Sequence, residues 1–442
     1  MKCLIIAAGL GSRLSSRGDS KPLIPLMGLS LIERVILTAN KAGLTDFYVV
    51  TGYNGEKVQQ YLNRFSQNQN INITHITNEE WEKGNGTSIF KAKKLLNENF
   101  ILLMGDHIFD ETILVRLTNE KITDDEVVLA VDYNIETNKL VDLDDVTRVL
   151  VEEDNNRILD IGKNIKKYNA YDTGIFLCSP EIFSAIEESL HNDDTSLSGG
   201  IKVLAGRGKA KTFDINDFYW IDVDDEKTHK LAENKLLATL KKASDGPISR
   251  YLNRPISTRI TRHLLRTDTT PNHVSFSSFI LAMLGAFFFF SGEYINLVIG
   301  AILAQVSSVI DGCDGEIARL KFQATNFGGW FDAVLDRYAD GFLLFGLTYY
   351  VYFTNNNFLY IAIGFLAIIG TFMNSYTADK YDGLMNRKLG QGKYYFRMGR
   401  DVRIFIIFLG ALINQPLPIL ILIGAMTNIE NVRRVVVLYK NE

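Results

Sequence analysis

The sequence predicts two architectures in one chain: an α/β domain with a mixed, mostly parallel sheet, followed by an all-α membrane domain of six transmembrane helices. Three observations predict it. Charge is unevenly spread, with 73 of the 98 Asp, Glu, Lys and Arg residues in positions 1–270 and only 25 in the 172 that follow. The C-terminal part also holds 18 of the 27 Phe and contains four charge-free runs, Thr269–Gly292, Tyr294–Ile310, Gly341–Ala378 and Ile404–Ile429. The N-terminal part instead alternates short β-rich apolar runs with helical patterns. A mean hydropathy of +0.03 and a net charge of −4 over 442 residues therefore average two unlike halves, and a single soluble domain is excluded. The expected division is a cytosolic domain over 1–243, a juxtamembrane segment over 244–268 and a membrane domain over 269–442.

Taken in order, Cys3–Ala8 reads as an apolar strand, and Met1–Ile6 is too short and too soon followed by glycines to be a signal peptide. Leu31–Gly43 reads as an amphipathic helix, and Phe47–Thr51, Ile71–Ile76, Phe100–Met104, Glu126–Val131 and Gly174–Leu177 as strands. Thr147–Glu153 and Ile158–Ile161 read as an antiparallel hairpin, and Thr228–Lys242 as a closing helix. After the break at Asp245-Gly246-Pro247, Ile248–Arg266 spaces Arg250, Arg254, Arg259, Arg262 and Arg266 between apolar residues, the pattern of a basic amphipathic helix lying on a membrane surface.

The charge-free runs then give spans near 273–291, 294–311, 327–353, 358–378, 402–413 and 417–432. Lys and Arg occur in alternate loops: Arg319 and Lys321; Lys380, Arg387, Lys388, Lys393, Arg397 and Arg400; and Arg433 and Arg434. The positive-inside rule then places both termini in the cytoplasm, in a multi-pass cell-membrane protein. Cys3, Cys178 and Cys313 have no metal-ligand or redox spacing and read as reduced thiols.

Two segments carry chemistry. In the first, Ala8, Gly9 and Gly11 follow a strand and lead to Arg13 and Lys21-Pro22; the glycines let backbone N–H groups approach phosphates, and the two cations supply charge. The segment is neither a Walker motif nor a dinucleotide fingerprint. In the second, Asp311-Gly-Cys-Asp314-Gly315-Glu-Ile-Ala318-Arg319 is followed by Gly328, Asp332 and Asp336. Asp311 and Asp314 share a helical face, as do Asp332 and Asp336, at the cytoplasmic ends of consecutive spans. Four carboxylates beside hydrocarbon repel one another unless cations neutralise them, and oxygen ligands suit Mg²⁺, Mn²⁺ or Ca²⁺. Arg400 and Arg403, with Lys388 and Arg397, are candidates for an anion site, Arg403 being the one expected just inside a span; the same residues also satisfy the positive-inside pattern.

With Arg13 and Lys21-Pro22 in place, residues 1–240 resemble the nucleotidyltransferases that activate sugar phosphates with nucleoside triphosphates. The resemblance implies a Rossmann-like fold with Asp106 and Asp222 as metal ligands. Gly84, Asn85, Gly86 and Thr87 would then hold base and ribose, and Lys163, Asp172 and Thr173 the sugar-phosphate pocket. The second motif, over about 267–440, resembles the CDP-alcohol phosphotransferases. That resemblance implies a two-metal site of Asp311, Asp314 and Asp332, with Asp336 as second-metal ligand or proton acceptor and Gly315, Ala318 and Arg319 lining the CDP site.

The joined halves resemble the two-step enzymes of heat-loving microbes that make di-myo-inositol phosphate, a compatible solute. The resemblance implies CTP, inositol 1-phosphate and CDP-inositol as substrates and intermediate, with Mg²⁺ or Mn²⁺ in both domains and both active sites facing the cytoplasm. A lipid bilayer and a second copy of the chain, joined through the membrane domain, are the expected partners; nucleic acid is not. A phospholipid synthase with a different head group and a transporter without catalysis are the alternatives.

Overall fold

The computed structural model describes residues 1–123, 125–242, 245–389 and 398–440, with the side chains of 379–389 excepted. Lys393 and Arg397, and the side chains of Lys380, Arg387 and Lys388, thus lie outside the described residues. The chain divides into two compact units, Met1–Leu236 and Leu237–Glu442, and the second takes in the whole 244–268 segment.

The first unit is built on a nine-stranded mixed sheet. Its strands run in the order Asn72–Thr77, Asp46–Thr51, Lys2–Ala7, Phe100–Met104, Ala170–Cys178, Val127–Asp132, Ala210–Asp214, Arg157–Gly162 and Arg148–Glu152. The first four are mutually parallel, and Ala170–Cys178 runs antiparallel to both of its long neighbours. Cys3, Leu4 and Ile5 are wholly buried, so the run is apolar without alternation, as a strand covered on both faces requires. The expected hairpin is present as the antiparallel pair Arg148–Glu152 and Arg157–Gly162.

On one face Ile182, Phe183 and Ile186 of the helix Glu181–His191 join Ile201 and Leu204 in a core with Leu4, Phe100, Leu102 and Phe176. The helix Leu31–Lys41 starts at a capping box: Ser30 Oγ accepts from Glu33 N at 3.3 Å, and Glu33 Oε2 accepts from Ser30 N at 2.7 Å. The parallel strands leave their carboxyl ends open on one edge, where ligand sites of such sheets lie.

Among the described residues, the second unit holds the helices Pro271–Phe289, Tyr294–Leu320, Asn326–Asn355, Leu359–Leu389, Arg400–Leu412 and Pro416–Lys440 after the juxtamembrane segment. Pro271–Phe289, Tyr294–Leu320 and the stretch Leu359–Ala378 are long and apolar enough to cross a membrane. The other three helices differ from these in length or in charge. Arg400–Leu412 has 13 residues, about 20 Å of helix at ~1.5 Å per residue against a ~30 Å hydrocarbon core. Asn326–Asn355 and Pro416–Lys440 carry their charges toward one end.

The first two helices approach so closely that a β-carbon on Gly285 would lie 2.7 Å from the Gly300 carbonyl oxygen, and one on Gly300 would lie 2.5 Å from that of Gly285. Such contacts hold apolar helices together by packing where no hydrophobic drive exists. Phe276, Ile280, Leu284 and Phe287 point outward and are exposed.

The juxtamembrane segment differs from the expected surface helix in which face it buries. A π-helical turn, Ser249–Asn253, runs into the helix Arg254–Leu264, and the polar residues Asn253, Arg254, Ser257 and Thr261 face inward. Glu316 is fully buried and receives Arg254 Nη1, Ser257 Oγ and Thr261 Oγ1 at 2.7, 2.6 and 2.7 Å. Arg254 also pairs with Asp245 at 3.1 Å. A buried carboxylate is tolerated only when its lone pairs are satisfied in this way, so Glu316 sets the rotation of the helix. Tyr251, Leu252 and Ile256 are left exposed beside Arg259 and Arg266.

Candidate active sites

A cavity of about 410 Å³ opens in the first unit at the carboxyl ends of the parallel strands, lined by Ala8, Gly9, Gly11, Arg13, Lys21 and Asp106 among others. Gly11 has φ +64°, and a β-carbon there would lie 2.4 Å from Lys21 Cβ. Its lack of a side chain thus lets Lys21 approach, whereas nothing lies within 4 Å of the place a Gly9 side chain would take. Lys21 and Pro22 are locked in a single helical turn, Lys21–Leu23, and Lys21 is buried with its Nζ on Asp106 and Asp224. Burial works against its charge, but Asp106, Asp222 and Asp224 outweigh that and raise its pKa.

Asp106 and Asp222 meet because the short strands His107–Phe109 and Trp220–Asp222 pair antiparallel with Asp222 opposite His107. His107 Nε2 lies 3.4 Å from Asp222 Oδ1 and 3.8 Å from Asp106 Oδ1, and its Nδ1 lies 2.8 Å from the Thr173 carbonyl oxygen. Burial alone would lower the His107 pKa, yet Asp222 and Asp106 push it up to about 10. Asp222 Oδ1 is buried without a hydrogen bond. Donor atoms of Asp106, His107 and Asp222 lie within 4.8 Å of one another and could hold a metal ion, the oxygens suiting Mg²⁺ or Mn²⁺. The Asp222 oxygen, buried with no hydrogen bond and only the 3.4 Å ion pair to His107, fits that use. Burial raises the Asp224 pKa to about 6, with the nearby charge of Asp222 adding to it.

The structure brings Asn85, Lys163 and Asp172 to the cavity, but not every expected neighbour. Thr173 is wholly buried and its Oγ1 donates to the Ala130 carbonyl oxygen at 2.7 Å, so its side chain serves the sheet. Gly86 packs on the backbone of Thr195 and Ser196, and Thr87 Oγ1 donates to Gly84 O at 2.8 Å; of the Gly84–Thr87 loop only Asn85 lines the cavity. His107, Asp145 and Asp224 were missed. Asp224 had a signal, since it stands two residues after Asp222, just past the end of the strand Trp220–Asp222. His107 had only its adjacency to Asp106.

In the second unit, donor atoms of Asp311, Asp314 and Asp332 also lie within 4.8 Å of one another and could hold a metal ion. Ser275, from the helix Pro271–Phe289, donates to Asp314, and Ser278 donates to Asp311 Oδ1 at 3.3 Å. Asp336 stands outside that group. Its Oδ1 is 2.7 Å from Arg400 Nη1, which is also 2.9 Å from Asp311 Oδ2.

Arg400 therefore faces the carboxylates, while Arg403 is 4% exposed and is held by Asp340 Oδ2 at 2.6 Å and the Met398 carbonyl oxygen at 3.0 Å. Asp340, also bonded to Arg400 Nε at 3.2 Å, was missed although Asp332, Asp336 and Asp340 recur every four residues on one helix. Arg319 is half-buried near Gly315: a β-carbon on Gly315 would lie 3.2 Å from Arg319 Nη1. Asp340→Ala would leave the Arg403 guanidinium buried without its carboxylate. It is expected to cost about 3–5 kcal/mol, the range for breaking a buried pair, read as a lower melting temperature of the detergent-solubilised protein.

The chain carries two transferase domains. Residues 3–193 match the MobA-like NTP transferase domain and residues 268–429 the CDP-alcohol phosphatidyltransferase family. The chain is 34% identical over 438 residues to the bifunctional IPC transferase and DIPP synthase of Rubrobacter xylanophilus, covering 98% of this chain and 95% of that one. It is 30% identical to the Aquifex aeolicus protein of the same name, covering 99% and 98%. The chain belongs to this family of bifunctional IPC transferases and DIPP synthases. Among solved structures, the inositol-1-phosphate CTP transferase from T. maritima is 26% identical and aligns with 52% of this chain and 94% of its own at a TM-score of 0.46. With a CDP-alcohol phosphatidyltransferase domain and, among the described residues, three helices long and apolar enough to cross a membrane, the chain is a membrane protein.

Proposed function

We propose that the first unit joins CTP and inositol 1-phosphate to give CDP-inositol and pyrophosphate. The second unit then transfers the phosphoinositol group to another inositol 1-phosphate, giving phosphorylated di-myo-inositol phosphate and CMP. The observation that carries this reading is the near full-length likeness to relatives named for both activities, with a candidate site in each unit.

In the first step a phosphate oxygen of inositol 1-phosphate attacks the α-phosphorus of CTP, and the bond to pyrophosphate breaks. Arg13 contacts the triphosphate and Lys163 the phosphomonoester. Lys21, fixed and charged, neutralises the oxygens that gain charge. Asp106 and Asp222 would hold a divalent cation, which supplies further charge neutralisation when bound. In the second step an acceptor hydroxyl attacks the phosphorus bearing inositol, the anhydride bond to CMP breaks, and Asp336 takes the hydroxyl proton. Asp311, Asp314 and Asp332 would hold the cation, with Asp336 as the further ligand where two are bound, while Arg400 attracts the acceptor's phosphate. Gly315, Ala318 and Arg319 line the CDP site.

The exposed Tyr251, Leu252 and Ile256 beside Arg259 and Arg266 support a helix resting on an anionic lipid surface. The basic loops support six spans with both termini and both sites on the cytoplasmic side, and a homodimer joined through exposed faces of the membrane unit. The full chain, given CTP, labelled inositol 1-phosphate, Mg²⁺ and no added lipid, is expected to yield CMP and a water-soluble product with two inositols. Label entering lipid instead would overturn the assignment in favour of a phospholipid synthase.

A further inference from the structure

Arg13 and Lys163 come from different segments of the first unit, yet both turn onto one carboxylate, Asp145. Arg13 Nη2 lies 2.6 Å from Asp145 Oδ2, and Lys163 pairs with Asp145 Oδ1. Both cationic side chains are about half exposed, at 54% and 57%, whereas that of Asp145 is 22% exposed. The segment that presents Asp145 is stapled at both ends. At its start Asp132, 2% exposed, accepts from Asn134 N at 2.8 Å, Asn138 Nδ2 at 2.6 Å and Trp220 Nε1 at 3.0 Å. At its end Arg148 donates to the Leu143 and Lys163 carbonyl oxygens at 3.2 and 3.1 Å. Asp145 lines the cavity but does not belong to the Asp106, His107 and Asp222 group, so a cation held there does not account for it.

A carboxylate in a cavity that must admit two phosphate-bearing anions opposes their entry by like charge, unless it serves the substrate-free state. We propose that Asp145 is the resident counter-ion of the phosphate site: it holds Arg13 and Lys163 together when no substrate is bound, and the phosphates of the incoming substrates displace it. This rests on reading Arg13 and Lys163 as the phosphate contacts. Two long cationic side chains left alone repel each other and keep their rotamer freedom. One shared carboxylate offsets both effects and holds them converged. Phosphates, with more charge and more acceptor oxygens, then replace it, the triphosphate on Arg13 and the phosphomonoester on Lys163. The apparent affinity is then the intrinsic phosphate binding reduced by the need to break the Asp145 pairs. Asp145 is thus a positioning residue that sets KM.

The test is Asp145→Asn in the full chain, assayed for the first step. The amide keeps the shape and loses the charge, so KM for CTP and for inositol 1-phosphate should each fall about fivefold, the size of one partly exposed ion pair. The change should appear in KM more than in kcat. Added NaCl should narrow the gap between the two proteins, since the lost pair is open to screening. The inhibition constant of pyrophosphate should fall in parallel. Unchanged or higher KM values would overturn the proposal, because Asp145 would then be a bystander or a substrate contact. Arg13→Ala and Lys163→Ala separate the two failures. If they raise KM while Asp145→Asn does not lower it, the counter-ion role alone fails; if they leave KM unchanged, the phosphate reading fails as well.

Discussion

Asp336→Asn is expected to cut CMP release from supplied CDP-inositol by about 10²–10⁴-fold, the usual contribution of a positioned general base, while CDP-inositol formation from CTP continues. The geometry separates Asp336 from its neighbours. Asp311, Asp314 and Asp332 converge without it, so the substitution leaves three carboxylates for a cation. What it removes is the partner of Arg400 Nη1 at 2.7 Å and, on the proposed mechanism, the acceptor for the hydroxyl proton. Arg400 keeps Asp311 at 2.9 Å and Asp340 at 3.2 Å, so the guanidinium stays neutralised and the fold is not the expected casualty. Steady-state CMP release with supplied CDP-inositol reads the effect. Wild-type rates from the variant would remove Asp336 from the chemistry.

Lys21→Met should have the complementary effect: first-step turnover falls by about 10²–10³-fold, the scale of losing one preorganised charge contact, with transfer from supplied CDP-inositol intact. Methionine keeps the unbranched chain as far as Cε, and Gly11 leaves room for its Cβ as it does for that of lysine. The lost ammonium bridges Asp106 and Asp224, two carboxylates that repel each other once it is gone. A melting curve beside the pyrophosphate-release assay distinguishes lost chemistry from lost structure. Loss of both activities together would mean that the two steps are not separable.

How much of each site was legible follows from how its residues are encoded. Asp311, Asp314, Asp332 and Asp336 could be read directly because spacings of three and four residues place side chains on one face of a helix. Asp106 and Asp222 lie far apart and could be paired only by resemblance; an antiparallel contact between two three-residue strands joins them. His107 was invisible for the same reason, since its tie to Asp222 exists only in that register. Thr173 shows the reverse failure. It neighbours a cavity residue in sequence, yet alternation along the strand turns its side chain into the sheet.

By itself, then, the sequence determined two unlike halves, the strand and helix pattern of each, and the four-carboxylate motif. All of these reside in composition and short-range periodicity. Only the tertiary structure decided which cation faces which carboxylate. Arg400 and Arg403 are three residues apart, about 300° around a helix of ~100° per residue, so a local pattern sets both on nearly the same side. Packing against Asp336 and Asp340 sends the first to the acidic cluster and buries the second. Likewise Arg254 reads as one of five surface arginines until the buried Glu316 turns it inward. Burial and long-range pairing select among side chains that periodicity leaves equivalent, because desolvated charge is stable only beside its partner.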